Sequence, residues 1–562
     1  MIHTLQEGTR AAGPPVDVAE VFHLVSWLRS IFRNDDVGKY VIKPFWYFDE
    51  FLPIASNAIE KASRKIVELG FCPKRVWEVV RGMDDGEIDL VPLVRALEHL
   101  PQLIHKGHES CTPGFCDDAS KNYTSVTQLH KCPHPHKDCQ PTPGKMFDQS
   151  LLVEALKGNT MTTAWKLNGM SLVAQDRSYL AVSHVWSDGT GVGAWKAGQV
   201  NQCLWDFWVD IARRLECDGV WWDTVCIPQD KEARSKALNN MHDNYAAAKY
   251  TVVHDLYLAG MEWKDAESAC IALVLSPWFT RGWTALELLL SKNVFVLFCQ
   301  GVGYTLKDLD NEILAQHPIL DSHAHWIATL SVRRLRKAGY LKSAFDILSV
   351  LKGRYTSWSR DQSIIAGLMC GLTDHVTLSE QQITKQIFQK IRGIDKECLL
   401  HGLSTMSEPQ FSWCPHRFVD IPCGTPVDKF LEKVHMDPDG IWDGYWEVWC
   451  IPKTHVDRGI IRPMSTDMYV RGKVQRALWR PEEHVILMCD LFDAQGLLVR
   501  LKEDKLSLVS GHWYCEYIGG VDVTPSEIRE DRDRVQKHIL IGYKPGMVDV
   551  RGVDVGCVDW SH

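Results

Sequence analysis

Polar side chains follow two short apolar stretches of this 562-residue sequence, at the points where each stretch would end as a β-strand. Ser183, His184, Trp186 and Asp188 belong to the end of the first stretch, and Asp223 to the end of the second. In a parallel sheet flanked by helices, ligands bind at the carboxyl ends of the strands. We therefore expect these side chains to share a pocket. The alternative is that they serve as helix caps and turn residues.

A second set of chemically capable residues lies between about 105 and 145, where apolar periodicity is lost and Cys, His, Pro and Gly are concentrated. Thiolates and imidazoles at such short spacings can complete a four-coordinate zinc site, which would hold a loop that lacks a core of its own. The favoured ligands are Cys111, Cys116, Cys132 and Cys139. We expect structural zinc rather than catalytic zinc, because no general base accompanies these residues. The alternative is a polar loop with incidental histidines.

The glycine run from Asp188 to Gly193 lies between a predicted strand and a predicted helix. Such a position suits contact between backbone N–H groups and a phosphate, although the spacing is not the dinucleotide fingerprint. A flexible connection is the alternative interpretation.

These candidate residues need a scaffold, and the chain from about 171 onward alternates predicted strands with predicted helices. The predicted strands are 179–185, 219–226, 250–256 and 293–298, and the helices between them are 201–215, 231–248, 262–275 and 280–292. This alternation predicts an α/β fold with a parallel sheet and helices on both faces.

The length suggests about three or four folding units at ~150 residues each. We predict a helical N-terminal region at 1–104, in which one helix begins near Asp17 and another ends at Gly70, and a Cys/His-rich loop at 105–150. The α/β domain spans 171–375. A β-rich domain, with many Trp, Val and turn residues, follows at 376–562.

Composition narrows the class of protein. Apolar residues make up 45% of the chain, charged residues 24%, and the net charge is −9, which argues against dedicated binding of nucleic acid or of anionic membranes. No window approaches the ~18 consecutive apolar residues of a membrane-spanning helix, and the first residues lack the apolar core of a signal peptide. The 18 cysteines are scattered, as in thiol or metal-binding usage. We expect a cytoplasmic protein.

Four ordered sequence blocks resemble the heterokaryon-incompatibility (HET) domain of filamentous fungi. They are YLAVSHVWS from Tyr179, WDTVCIPQ from Trp222, PWFTRGWTALEL from Pro277, and a segment from Arg354 to Leu368. The blocks extend over 179–368, about a third of the chain. The resemblance implies non-self recognition and a cell-death response. It also implies that Ser183, His184, Trp186, Asp188, Trp222, Arg281 and Trp283 line a substrate site.

HET domains are themselves similar to TIR domains, which implies a flavodoxin/TIR-like sheet. Some TIR domains cleave NAD at the nicotinamide–ribose bond with a glutamate four residues after a tryptophan. Trp283 and Glu287 have that spacing, which puts both on one face of a helix. The resemblance therefore implies that Glu287 is catalytic, and we expect Asp223, from its place at a strand end, to be a catalytic residue of the same pocket. The alternative is that Glu287 complements the helix dipole and that Trp283 belongs to the core.

The sequence leaves several functions open. In one, the protein is an NAD(P) glycohydrolase-type hydrolase, with NAD as its substrate rather than its cofactor. In another, it is a non-enzymatic signalling scaffold that assembles with itself or with a protein partner. In a third, a HET-like fold has been recruited as an enzyme of specialised metabolism acting on another small molecule.

Overall fold

The structure of the protein is a computed structural model. It describes residues 52–81, 89–101, 108, 110–116, 126–132, 145–158, 162–191, 198–317, 320–336, 339–391, 393–421, 433–437, 440–488, 495–502, 512–524 and 535–542. Contacts divide the chain into two compact units, residues 1–339 with 353–358, and residues 340–352 with 359–562. The helix predicted from Asp17 lies outside the described residues.

Helices and strands alternate through much of the first unit. Its helices are α1 Leu52–Glu68, α2 Pro73–Arg81, α3 Leu90–Leu97, α4 Gln149–Gly158, α5 Gln202–Arg214, α6 Asp223–Cys226, α7 Lys231–Asn239, α8 Met241–Ala247, α9 Leu256–Gly260, α10 Ala266–Leu275, α11 Gly282–Leu290 and α12 His323–Arg336. Its strands are β1 Lys145–Met146, β2 Trp165–Lys166, β3 Tyr179–His184, β4 Gln199–Val200, β5 Gly219–Trp221, β6 Tyr250–His254, β7 Val294–Gln300 and β8 Gly303–Asp308.

The main sheet of this unit has the strand order β2-β5-β3-β6-β7-β8. The four inner strands β5, β3, β6 and β7 are parallel, and the edge strands β2 and β8 are antiparallel to their neighbours. The predicted α/β class with a parallel sheet is therefore confirmed. Because parallel strands end at the same edge, the carboxyl ends of β3, β5 and β6 lie together, with His184 in register with His254.

Helices cover both faces of this sheet, as two adjacent tryptophans show. Side chains alternate between faces along an extended chain. Trp221 meets Tyr245 of α8, with ring centroids 5.1 Å apart, whereas Trp222 meets Trp208 of α5 at 6.2 Å. All three tryptophans and Tyr245 are buried in one large apolar cluster. Tryptophan side chains therefore help to fill the core on both faces of the sheet.

The second parallel strand is shorter than predicted. Residues 219–226 were expected to be one strand, but β5 ends at Trp221 and Asp223–Cys226 forms the helical turn α6. The reason is local, because the Trp222 carbonyl accepts hydrogen bonds from the amides of Val225 (3.0 Å) and Cys226 (2.9 Å). The turn begins at Asp223, so it fixes that carboxylate at the end of the strand.

The connection between α1 and α2 determines where Cys72 lies. Gly70 closes α1 with a φ of +76°, a backbone conformation that favours glycine, and the Phe71 amide donates to the Ile66 carbonyl (3.1 Å). The chain then turns directly into α2. This turn puts Cys72 immediately before the first residue of α2.

The second unit combines helices with a β-rich sheet, so the prediction of a β-rich C-terminal region is confirmed. Its helices are α13 Ala344–Leu351, α14 Ser359–Met369, α15 Glu380–Ile391, α16 Lys453–Asp457 and α17 Met468–Leu478. Its strands are β9 Gly393–Asp395, β10 Lys433–Met436, β11 Trp442–Cys450, β12 Ile461–Pro463, β13 His484–Met488, β14 Gln495–Lys502, β15 His512–Val523 and β16 Val535–Ile541.

Five of these strands close a barrel. The pairing runs β11-β13-β14-β15, and β16 joins β15 back to β11. The pairs are antiparallel except for β15 with β16, which is parallel. Among the residues that the structure describes, no helix is long and apolar enough to cross a membrane.

Candidate functional site at the strand ends

The last two residues of β3 direct their side chains to opposite sides of the sheet. Ser183 meets Glu287 and Trp278, whereas His184 meets Thr190 and Asp223. This follows from the alternation of side chains along a strand. The sequence-predicted residues therefore form two neighbouring hydrogen-bonded groups. We call Ser183, His184, Asp223 and Glu287 together the strand-end site.

The first group is built around the Ser183 hydroxyl. It donates a hydrogen bond to Glu287 Oε2 and accepts one from the indole N–H of Trp278 (2.7 Å). Glu287 comes from α11, and only 5% of it is exposed. The carboxyl is thus held inside the protein by a hydroxyl whose own orientation a buried tryptophan fixes.

The environment of Glu287 favours its neutral form. Burial raises the pKa of this carboxyl, the negative charge of Asp223 adds to the effect, and the hydrogen bonds from Ser183 and Tyr245 and the charge of Arg281 only partly oppose it. The result is a pKa of about 8 against an ordinary 4.5. Glu287 therefore carries a proton at neutral pH.

The second group joins His184 to Asp223. His184 Nε2 lies 2.6 Å from Asp223 Oδ1, and His184 Nδ1 lies 2.5 Å from the Thr190 hydroxyl oxygen. The Thr190 hydroxyl donates its proton to the Val185 carbonyl (2.9 Å), so Nδ1 must be the donor in its contact with Thr190. The indole N–H of Trp222 donates to Nε2 (3.2 Å), so Nε2 lies between this donor and the Asp223 carboxyl. His184 and Asp223 therefore form a close, largely buried pair.

Asp223 also receives hydrogen bonds from outside this pair. The indole N–H of Trp186 donates to Oδ2 (2.9 Å), and the Thr224 hydroxyl donates to Oδ1 (3.1 Å). Burial alone would raise the pKa of Asp223, but the positive charge of His184 and these hydrogen bonds outweigh it and lower the pKa. Its side chain is 15% exposed, so the ionised carboxylate reaches the surface.

The remaining predicted binding residues differ in what they contact. Asp188 Oδ2 accepts from the amide of Leu256 at the start of α9 (2.7 Å). Trp222 is fully buried, with its indole nitrogen 3.2 Å from His184 Nε2. Arg281 is buried beside α11, and its electrostatic interaction with Glu287 links it to the first group. Trp283 is half-buried against the large apolar cluster.

Two glycines of the run after Asp188 have packing roles. Gly189 has a φ of +83°, and a Cβ there would come within 2.5 Å of the Thr127 carbonyl oxygen. A Cβ on Gly191 would lie 2.2 Å from the ring of Trp186. Both positions therefore need glycine to bring the chain close to its neighbours. Gly193 lies outside the described residues.

Three residues of the site were not predicted as functional. Trp278 lies inside the third sequence block and Tyr245 in the predicted helix 231–248, but nothing in their spacing shows that they hydrogen-bond to the Ser183 and Glu287 side chains. Thr190 lies within the glycine run, where its hydroxyl fixes the tautomer of His184. A single sequence does not indicate which hydroxyl or indole will contact a side chain from another strand or helix.

The chemistry available here comes from two carboxyl groups in different protonation states. Asp223 is ionised and partly exposed, and Glu287 is protonated and buried. Environments that separate two carboxyl pKa values in this way are typical of acid–base and oxocarbenium-stabilising sites. Structural ion pairs produce such shifts as well.

The Cys/His-rich segment forms two separate groups of metal-binding side chains. Cys72, His108, Cys111 and Cys116 have their donor atoms within 4.8 Å of one another, and so do His130, Cys132 and Cys203. The grouping differs from the predicted set, because Cys111 and Cys116 meet Cys72 and His108 rather than Cys132. Cys139 lies outside the described residues. Cys72 was missed because it lies far upstream of the segment, in the helical region.

Comparison with known proteins agrees with the resemblance in the sequence. Residues 179–265 match the family described as Heterokaryon incompatibility protein (HET). The matched segment runs from β3 through α9, so it includes Ser183, His184 and Asp223 but not Glu287. No curated protein and no solved structure matches the chain. The HET match indicates a role in fungal heterokaryon incompatibility.

Proposed function

We propose that this protein acts in fungal non-self recognition and programmed cell death by hydrolysing NAD or a related nucleotide at the strand-end site. The HET match supports the biological role. The order of the four parallel strands, in which the second and third flank the first, is that of flavodoxin-like sheets and supports a TIR-like architecture. In such sheets the ligand binds at the strand ends, where Asp223 lies.

One observation carries the catalytic half of this proposal, namely the opposite protonation states of Asp223 and Glu287. Cleavage of a nicotinamide–ribose bond develops positive charge on the ribose, and a nearby carboxylate stabilises it. Asp223 is ionised and can do this directly. Glu287 would become ionised when a cationic substrate arrives, because an opposite charge favours the carboxylate.

The reaction balances without a cofactor. The bond between the ribose carbon and the nicotinamide nitrogen breaks, and nicotinamide leaves with the electron pair. A water oxygen bonds to the ribose carbon, and its proton goes to solvent or to a carboxylate. Trp283 and Trp186, both half-buried, are proposed to contact the nicotinamide or the adenine with their rings.

A second candidate function is a self-assembling or partner-binding scaffold without catalysis. The burial of Glu287 favours it, because a protonated carboxyl bonded to Ser183 also suits a purely structural role. Recruitment as an enzyme of specialised metabolism would keep the same site for a different small molecule.

The described cysteines are all free thiols, which fits a reducing compartment such as the cytoplasm.

We also propose that the Cys/His-rich segment holds a structural zinc ion. Zinc would tie down a loop that lacks an extensive apolar core of its own. The carboxylate chemistry described above uses no metal. The zinc proposal and the hydrolase proposal can therefore fail independently.

The test of the hydrolase proposal is release of nicotinamide from NAD by the full-length protein, alone and when fused to a dimerising tag. We expect Glu287→Gln to slow release by about 100-fold or more, the usual cost of removing a group that stabilises charge in the transition state. Glu232→Gln, an exposed carboxylate of α7, is the matched control and should leave the rate unchanged.

The same variants should be incubated with a fungal metabolite extract and analysed by mass spectrometry. Glu287-dependent loss of a metabolite that is not a nucleotide would support the specialised-metabolism alternative. Absence of any turnover by the wild type, in both the single and the dimerised form, would contradict the hydrolase proposal and leave the scaffold.

A further inference from the structure

Four buried side chains from two separate parts of the first unit converge on one point. Cys72 precedes α2, and His108, Cys111 and Cys116 come from the loop 36–44 residues further along the chain. All four are buried. The three cysteines form a small apolar cluster of their own. We call these four residues the Cys/His cluster.

The spacing of the donor atoms is that of a four-coordinate zinc site. The sulfurs of Cys72 and Cys116 are 3.7 Å apart, and His108 Nδ1 lies 3.2 Å from the sulfur of Cys111 and 3.5 Å from that of Cys116. A tetrahedral zinc ion with bonds of about 2.3 Å to sulfur and 2.0–2.1 Å to nitrogen separates two sulfurs by about 3.8 Å and a sulfur from a nitrogen by about 3.6 Å. These three donor separations therefore match the tetrahedral values within a few tenths of an ångström, and all four donor atoms lie within 4.8 Å of one another.

The loop is shaped to present its two thiols together. Thr112 and Phe115 exchange backbone hydrogen bonds of 2.9 and 3.1 Å, which turns the chain between Cys111 and Cys116. The Cys111 amide also donates to the His108 carbonyl (3.1 Å), so the histidine is held close to the same turn. Phe115 at the tip is exposed, and among residues 108 and 110–116 no large apolar side chain other than cysteine packs inward. The backbone turn therefore positions the donor atoms of His108, Cys111 and Cys116, but it buries little apolar surface.

The fourth donor is fixed by a helix start. Cys72 is the cap residue of α2, because its carbonyl accepts from the Val76 amide (3.2 Å), and its sulfur accepts from the Arg75 amide. The start of the helix therefore fixes where the Cys72 sulfur lies.

We propose that Cys72, His108, Cys111 and Cys116 bind one structural zinc ion. This inference names the ligands of the structural zinc proposed above, and it rests on that proposal. All four positions are filled by protein atoms in a buried site, which is the pattern of structural rather than catalytic zinc. The ion joins the loop to the start of α2. Without the ion, only a few apolar contacts of the cluster would link these two segments.

A disulfide is the competing chemistry for two of these cysteines. The sulfurs of Cys72 and Cys116 are 3.7 Å apart, whereas a disulfide requires about 2.05 Å. Both residues are free thiols in the structure. A metal ion satisfies all four donors at their present separations, and a disulfide would leave His108 and Cys111 without a role.

The test is the zinc content of the untagged full-length protein, measured by plasma mass spectrometry after purification in a reducing buffer. Cys72→Ser and His108→Ala should each lose about one equivalent of zinc per chain relative to the wild type. Cys217→Ser, a buried cysteine of the same unit, and His99→Ala, an exposed histidine, should retain it. Circular dichroism and gel filtration verify that each variant is folded.

A second measurement on the wild type covers the case in which the ligand variants fail to fold. Cys72, Cys111 and Cys116 should resist alkylation by N-ethylmaleimide until a zinc chelator is added, and Cys217 should not change with the chelator. If wild-type protein contains no zinc, the structural-zinc proposal fails as a whole. If zinc is present but the ligand variants retain it, or if a Cys72–Cys116 disulfide is found by peptide mapping, only this ligand set is wrong. None of these outcomes depends on NAD hydrolysis.

Discussion

The strand-end site and the Cys/His cluster are both buried and polar, but they are held in different ways. The strand-end site lies at the end of a sheet whose strands belong to a large apolar core, and its polar atoms bond to one another and to buried indoles. The Cys/His cluster has only three cysteines as its apolar neighbourhood. The difference teaches that a polar group inside a large core can be satisfied by protein atoms, whereas the proposed zinc ion would take that role for the donors of the small loop.

Removal of the Asp223 carboxylate should have the largest effect on stability. Asp223→Ala removes the shared partner of His184, the Trp186 indole and the Thr224 hydroxyl, at about 1–3 kcal/mol for each buried polar group left unsatisfied and roughly 3–5 kcal/mol together. Hydrogen exchange of β3, followed by mass spectrometry, measures the loss as a lower opening free energy. Asp176→Ala, an exposed aspartate in the loop before β3, is the control and should change little. A loss below about 1 kcal/mol in Asp223→Ala would mean that the carboxylate does not hold these three groups in place.

The raised pKa of Glu287 predicts that the stability of the strand-end site depends on pH. Between 4.5 and about 8 the folded state keeps a proton that the unfolded state releases, so stability falls as the pH rises through this window. Glu287→Gln cannot titrate. Relative to the wild type, it should therefore gain roughly 2–4 kcal/mol between pH 5 and pH 8. The opening free energy of β3 is measured by hydrogen exchange at pH 5 and pH 8 for both proteins. If it changes equally with pH in the wild type and in Glu287→Gln, Glu287 is not protonated.

Chelation of zinc should separate the two regions most clearly. We expect amide exchange of residues 108–116 to accelerate by at least roughly 100-fold, equivalent to about 2.7 kcal/mol, because the loop loses the ion that orders it. Exchange of β3 should stay unchanged in the same sample. Equal acceleration in both segments would show that the metal supports the whole unit rather than the loop.

The Ser183 hydroxyl should give the smallest effect. Ser183→Ala leaves the buried indole N–H of Trp278 and the Glu287 carboxyl without their shared partner, a loss of about 1–2 kcal/mol. Ser235→Ala, a half-buried serine of α7 whose hydroxyl donates to the Lys231 carbonyl of the same helix, should stay within about 0.5 kcal/mol of the wild type. An unchanged opening free energy of β3 in Ser183→Ala would indicate that water replaces the hydroxyl.

The sheet and the two halves of the strand-end site could be predicted from the sequence for a physical reason. Buried parallel strands require runs of apolar residues bounded by turns, so β3, β5 and β6 are visible in the sequence, and so are the polar residues near their ends, although β5 ends earlier than predicted. The spacing of Trp283 and Glu287 likewise fixes their common helix face.

The parts that could not be predicted depend on contacts between distant residues. The burial of Glu287 by Trp278 and Ser183, and the proton that Thr190 directs to Nδ1 of His184, arise from packing across the sheet. Cys72 joins the Cys/His cluster only because α1 closes at Gly70 and α2 begins beside the loop. Within a cysteine-rich segment, sequence spacing gives many combinations of ligands, and the fold selects one.

The central claim is that Glu287 and Asp223 hold opposite protonation states at neutral pH. It is tested most directly by infrared difference spectroscopy between wild-type protein and Glu287→Gln, with glutamate labelled by carbon-13. At pH 6 the difference spectrum should contain the carbonyl band of one protonated, buried carboxyl group, and this band should be lost by pH 10. A carboxylate band for Glu287 at pH 6 would contradict the account.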